Sequence, residues 1–368
     1  MLGLWDLLYH FRAMVQPVHV IDECCDVDTF EELRALGGPD APVFCAGRPP
    51  EFASPNAKRI GNRWWRHDRV LQDASAKPES VIHCWSVEAA LAASEAIEAN
   101  SPLPVVIRCQ GMPSSDEQEF LQQGGDHNWR LSIVCATPAL KAQLQAAGVR
   151  EDLRVIPPYV VQMEAAPQRQ ARELARQRLG IAAKEKLVVT PAWAGRTSGH
   201  KFGIWSSAIL SVAEFPLRLA FRGDAPAERA AMGFARDAGF AELLRLAELP
   251  LGQLLAAADL ALFLNQADLP PQPIVATMLS GVPIVGPDTA SARSWLENEQ
   301  TALLVDPRKP RAIAQALMRL LEHPELSDRL ARQAQGYAQQ HLGSELVRQR
   351  WQELYALLLM STAGRTIT

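Results

Sequence analysis

No apolar run in this 368-residue sequence approaches the roughly 20 residues that a membrane-spanning helix needs. Charge of one sign is not in excess either. The net charge is -4, which gives no general electrostatic reason to bind nucleic acid or a lipid surface. The six cysteines, Cys24, Cys25, Cys45, Cys84, Cys109 and Cys135, form no CxxC pair and no metal-like spacing with histidine. Most lie inside apolar runs, where cysteine packs as a small hydrophobe, and a reducing cytoplasm fits that usage. Internal repeats and low-complexity segments are absent, which sets aside solenoids and disordered tails. The apolar start "MLGLWDLLYHFRAMVQP" lacks the basic opening and cleavage site of a signal peptide. Its polar face is poor in lysine and arginine, so it reads as a helix packed on the first domain, with peripheral membrane contact through residues 1–16 as the other reading.

What is present is alternation. Short apolar runs, "PVHVID" (17–22), "APVFCAG" (41–47), "SVIHCW" (80–85), "PVVIRCQ" (104–110), "LSIVCA" (131–136) and "LRVIPP" (153–158), are separated by helix-like segments. One of these, "TFEELRAL", has Thr29 and Glu32 at capping-box spacing. Continuous apolar strands between helices indicate a parallel sheet covered on both faces. A polar, proline-containing connection follows "YVVQ". The rhythm then restarts with "EKLVVTPAW", "LRLAFRG", "LALFLNQ", "VPIVGP" and "ALLVDP". The expectation is an α/β protein of two Rossmann-like domains facing across a cleft, residues 1–160 and 161–344. Residues 345–368 would form a helix packing back toward the first domain. In that helix Leu346, Trp351, Leu354, Tyr355 and Leu358 make a core-facing stripe.

Two places in the second half carry binding chemistry. In "TPAWAGRTSGHKFG" a strand ends in a glycine-bearing loop, with Arg196 and Lys201 five residues apart. Arginine grips phosphate through parallel hydrogen bonds and lysine adds a point charge, so together they suit a diphosphate; two solvated surface cations would look the same. In "LFLNQADLPPQPIVATMLSGVPIVGP" a strand runs into an acidic, proline-studded loop and then a small-residue helix. Pro273 suits its first turn, the remaining free N–H groups make an anion site, and Gly281 suits its end. Asp268 in that loop could instead cap the helix. A third cluster, "NRWWRHDR" (62–69), suits a membrane contact, a sugar-stacking platform or a loop anchored by Trp64 and Trp65.

From about residue 80 to 355 these segments, in order and spacing, resemble the retaining glycosyltransferases of the GT-B fold, family 4. "SVIHCWSVEAALAA", "VCATPALKAQLQAAGVREDLRVIPPYV", "AGRTSGHK", "LAFRGDAPAE", "LAAADLALFL", "ATMLSGVPIVGPD" and "TALLVDPRKPRAIAQALMRLLEHPEL" each follow a family segment. The resemblance implies sugar transfer with retention, a hexosyl transfer in kind, from a nucleotide-sugar held by the C-terminal domain. The acceptor, a glycan, lipid or small molecule, would be met by the N-terminal domain, and no metal or other cofactor is implied. Arg196 and Lys201 fall on the family's diphosphate-binding pair. Asp268 falls on the first of two glutamates, the one that contacts the sugar. Gly195, Gly223 and Leu269, Pro270, Pro271, Gln272 and Pro273 would complete the donor pocket. On the acceptor side stand His83 and Gln110.

Departures from the pattern keep other readings open. Ala276 replaces the second glutamate, which holds the ribose, and Gln110 replaces a frequent histidine. The "DECCDVDTFEEL" stretch has no glycine, and "PYVV" stands for the usual turn before the connection. His83 sits inside a strand, where a satisfied core histidine is the simpler reading. A catalytically degenerate binding or scaffold subunit is the first alternative, and a nucleotide-sugar epimerase or hydrolase the second.

Overall fold

The central apolar runs do form strands buried along nearly their whole length. "SVIHC" and "VFCA" have every residue inside, which is how a sheet reads when helices cover both faces. The computed structural model describes residues 15–22, 25–38, 40–51, 53, 57–60, 67–77, 79–97, 103–124, 129–160, 168–194, 198–223, 225–247, 249–266 and 269–363. The apolar start over 1–14, Cys24, Trp64, Trp65, Gly195, Arg196 and Asp268 lie outside the described residues.

The chain divides into two compact units. One is built from the chain up to Val161 together with the segment from Ser344 on, and the other is Gln162–Gly343. In the first unit the strands are β1 (Gln16–Asp22), β2 (Val43–Ala46), β3 (Ala57–Ile60), β4 (Ser80–Cys84), β5 (Leu103–Cys109), β6 (Trp129–Cys135) and β7 (Asp152–Val155). They form one parallel sheet in the order β3-β2-β1-β4-β5-β6-β7. The helices between them are α1 (Val27–Gly37), α2 (His67–Ser75), α3 (Val87–Ala96), α4 (Ser115–Gln122) and α5 (Pro138–Ala146).

Each helix start with a polar cap is fixed locally. Ser86 caps α3, Thr137 caps α5, and Ser114 with Glu117 makes a reciprocal capping box on α4. At α1 the box is not where Thr29 and Glu32 place it. Asp26 is the cap, accepting the Thr29 N–H at 2.7 Å. Glu32 instead turns into the core, because a buried arginine and a backbone N–H claim its carboxylate there.

The second unit repeats the plan. Its strands are β8 (Lys186–Ala194), β9 (Leu217–Gly223), β10 (Leu244–Leu246), β11 (Leu260–Leu262), β12 (Ile284–Pro287) and β13 (Leu303–Val305), in the parallel order β10-β9-β8-β11-β12-β13. Its helices are α6 (Gln168–Arg178), α7 (His200–Val212), α8 (Ala225–Asp237), α9 (Leu251–Ala257), α10 (Pro271–Leu279), α11 (Pro310–Glu322) and α12 (Pro324–His341). The β8/β9 register shifts between Thr190 and Trp193, where Pro191 has no N–H to give the ladder.

The last helix, α13 (Ser344–Ala363), returns to the first unit. Trp351, Leu354 and Tyr355 pack with Val81, Val106 and Val134 as the stripe requires, but Val347 takes the place expected for Leu346. Among the described residues no helix is long and apolar enough to cross a membrane.

Candidate functional site

In an open parallel sheet, ligands bind beyond the carboxyl ends of the strands, where the strand order reverses. In the second unit that point lies between β8 and β11. The loop after β8 leads to α7 and the loop after β11 leads to α10, so topology makes neighbours of the two segments singled out in the sequence. Gly199 shows how tightly they meet. Its φ is +71°, and a Cβ placed there would lie 2.3 Å from the Leu264 carbonyl oxygen. Only a glycine lets the start of α7 lie against the end of β11 in this way.

Lys201 stands exposed in the first turn of α7, its ammonium 5.8 Å from the centre of the Phe234 ring on α8. It makes no ion pair among the described residues. Beside it the His200 imidazole is a buried wedge. Ser198 Oγ approaches Nδ1, Thr190 Oγ1 lies 3.2 Å from Nε2, and the ring meets Phe221 edge-on. Burial pushes its pKa from 6.5 down to about 4, so this histidine is neutral and supports the loop.

The start of α10 differs from the expectation of several free amides. A helix start leaves four N–H groups unpaired, but Pro270, Pro271 and Pro273 have none, and only Gln272 retains one. The neighbouring Leu269 N–H is taken by Ser291 Oγ at 2.9 Å. The helix dipole remains; most of its hydrogen-bond donors do not. Ala276 is buried one turn further on, and its carbonyl accepts both the N–H and the hydroxyl of Ser280. Gly223 ends β9 opposite Ala194.

Sequence reasoning passed over two residues here. Asn265, just past β11, has a buried Oδ1 with no hydrogen-bond partner among the described residues. Arg222, at the end of β9, is a buried arginine with Nη1 3.3 Å from the Pro191 carbonyl. The signal for the second was Arg222 itself, a cation closing the apolar run "LAF" (219–221).

In the first unit the order reverses between β1 and β4, and a cavity of about 290 Å³ opens there. Its walls come from Asp22 at the end of β1, Cys25, Asp26 and Thr29 around the start of α1, Trp85 and Ser86 after β4, Arg108 to Pro113 at and beyond the end of β5, and Glu117 on α4. Ser86 donates its hydroxyl to Asp22 and accepts the Ala89 N–H.

Of the two residues expected on the acceptor side, Gln110 lines this cavity and His83 does not. His83 is fully buried, stacked on Trp85 at 4.4 Å, with Nδ1 2.7 Å from the Tyr355 hydroxyl. Burial, with His19 and Arg108 nearby, holds its pKa well below the ordinary value, so it is a neutral core residue.

One lining residue, Arg108, carries a fully buried ion pair. Arg108 Nη1 lies 2.6 Å from Glu32 Oε1, both side chains fully buried, and the Tyr159 N–H donates to the same carboxylate. The guanidinium lies 5.0 Å from the centre of the Trp85 ring and 5.8 Å from that of Trp351. Burial pushes the Glu32 carboxyl upward in pKa, against the pull of Arg108 and the Tyr159 N–H.

Residues 195–323 match the family model of the glycosyl transferases group 1. The matched stretch lies wholly in the second unit and takes in both loops at the β8/β11 reversal. No curated protein matches the sequence. Among solved structures, the chain is similar to Anabaena HepE in complex with UDP-glucose, at 17% identity and a TM-score of 0.76, covering 94% of this chain and 99% of that one. It is similar to sucrose-phosphate synthase from Thermosynechococcus elongatus at 15% identity and a TM-score of 0.70, covering 94% and 100%. WaaG, a glycosyltransferase involved in lipopolysaccharide biosynthesis, is 12% identical with a TM-score of 0.65, covering 92% and 99%. The architecture is that of the GT-B glycosyltransferases: two Rossmann-like units, each a parallel sheet between helices.

Proposed function

We propose that this protein transfers a sugar, with retention, from a nucleotide-sugar bound by the second unit to an acceptor met by the first. One observation carries the reading: the family match covers the strand-order reversal of the second unit, where Gly199 and Leu264 press the two candidate loops together. Lys201, a cation without a carboxylate partner among the described residues, and Arg196 neutralise the diphosphate and the charge that develops on the leaving group. They take the place of a metal. Asp268 holds the transferred sugar, while Gly195, Gly223 and the 269–273 backbone shape the pocket around it. The similar fold of HepE, solved with UDP-glucose, makes UDP-sugars the first donors to try.

A second reading has its own support. With Ala276 apolar and buried and α10 short of N–H donors, the donor grip is weaker than its topology suggests, which favours a binding or scaffold subunit. Thermal unfolding with UDP and a panel of nucleotide-sugars separates the two. A ligand at a hundred times its Kd adds about 2.7 kcal/mol to the native state. Transferase function requires stabilisation by an intact donor that Arg196→Ala with Lys201→Ala abolishes, and turnover to a product whose anomeric configuration, read by NMR, matches the donor. Stabilisation without turnover on any acceptor favours the binding subunit, and no response to any donor refutes the proposal.

A further inference from the structure

The first turn of α7 is held without a cap. Gly199 stands at the N-cap position and has no side chain to accept a helix N–H, whereas Asp26, Ser86, Ser114 and Thr137 do so for helices of the first unit. What ties the start of α7 to the sheet is the next side chain. His200 is buried between strand and loop. Thr190 Oγ1 on β8 lies 3.2 Å from its Nε2, the Phe221 ring of β9 meets it edge-on at 5.3 Å, and Ser198 Oγ approaches its Nδ1 from the loop.

An apolar wedge would fill the same space against Phe221, so the imidazole needs a further reason. Burying a polar ring costs free energy unless its nitrogens are paired. The neutral ring has one N–H and one bare nitrogen, and a hydroxyl can donate or accept, so Thr190 and Ser198 together satisfy both. The Thr190 side anchors the ring to an interior strand of the sheet. The Ser198 side reaches a loop residue two positions after Arg196 and three before Lys201. Between the two hydrogen-bonded residues lies Gly199, pressed against the Leu264 carbonyl with no space for even a Cβ. The imidazole therefore fixes the segment that joins the two candidate diphosphate ligands, and its own burial leaves it the part of a support.

We infer that His200 is a positioning residue for the donor diphosphate: through Nδ1 it holds Ser198, and through Ser198 the segment between Arg196 and Lys201. The inference rests on the reading of that segment as the diphosphate site. Its test is calorimetric titration of the full-length protein with UDP and UDP-glucose at neutral pH, with urea curves showing each variant folded. Ser198→Ala should weaken UDP-glucose binding about fivefold and His200→Leu about tenfold. The double variant should bind no more weakly than His200→Leu alone, because two members of one hydrogen-bonded chain are not additive. Two amides separate positioning from packing. His200→Asn can place its amide near the Nδ1 position and should recover most of the affinity. His200→Gln places its amide near Nε2 and should not, although both lose the same ring contact with Phe221. Equal affinities for the two amides, or binding by Ser198→Ala within twofold of the parent, overturns the inference and leaves the donor reading standing. A parent protein that binds neither UDP nor UDP-glucose overturns the donor reading and this inference with it.

Discussion

Replacing Gly199 by alanine tests the contact on which the second-unit site is built. Two costs add. A side chain held at a φ of +71° carries the left-handed penalty of roughly 1–2 kcal/mol. The new methyl would also lie 2.3 Å from the Leu264 carbonyl oxygen and 2.7 Å from its Cβ. The oxygen belongs to the backbone and cannot rotate away, so β11 or the start of α7 must move, an overpacking cost of about 1–3 kcal/mol. The total is roughly 2–5 kcal/mol, or a fall in Tm on the order of 5–15 °C for a unit of this size. Gly180 supplies the control. It too has a positive φ, +64°, but nothing lies within 4 Å of its would-be Cβ, so Gly180→Ala should lose only the first term. Urea unfolding of both variants gives the difference. A donor titration should show weakened UDP-sugar binding for Gly199→Ala alone, because only that change displaces the loops. Equal losses of stability in the two variants would mean that the loops do not meet at Leu264.

Breaking the buried pair of the first unit by Glu32→Gln leaves Arg108 without its counter-charge and should cost about 3–5 kcal/mol in urea unfolding, while Glu32→Leu with Arg108→Met should recover much of it; a single variant as stable as the parent contradicts the pairing. His200 gives a pH dependence. With its folded pKa lowered from 6.5 to about 4, the unfolded chain binds more protons between those values, so stability falls as pH drops through that window, by at most about 1.4 kcal/mol per pH unit. His200→Leu should flatten this slope in unfolding measured on both sides of pH 6.5, and identical slopes would place the imidazole in water. Ala276→Glu should tighten UDP binding about tenfold by calorimetry, the worth of one charged hydrogen bond to the ribose; unchanged or weaker affinity would show that the ribose lies elsewhere.

The strands that the sequence pattern does not reveal are edge strands in both sheets. β3 reads "AKRI", with Lys58 and Arg59 exposed, and β10 is only three residues long. A central strand announces itself because both its faces must be apolar. An edge strand is short or charged for the opposite reason, since an exposed apolar edge invites pairing with other chains. The same logic explains Thr29 and Glu32. Capping-box spacing is a local pattern, and the carboxylate that completes it was claimed by two partners far along the chain, Arg108 and the Tyr159 N–H.

Local spacing was enough to show that β8 and β11 each run through a short connection into a helix, because a strand followed by a glycine or proline loop and a helix is itself a local pattern. It could not show that Gly199 rests on Leu264, nor that His83 answers to Tyr355 across the sheet. One long-range feature did leave a trace. Arg108 stands alone in the apolar run "PVVIRCQ", and a charge cannot be buried there without a partner. An arginine in a strand that the pattern buries on both faces is therefore a demand for an acid and a pointer to the strand's carboxyl end. Arg222 in "LRLAFRG" makes the same demand at the matching end of the other sheet. In both units the buried cation marks the end of the sheet where a ligand would be held.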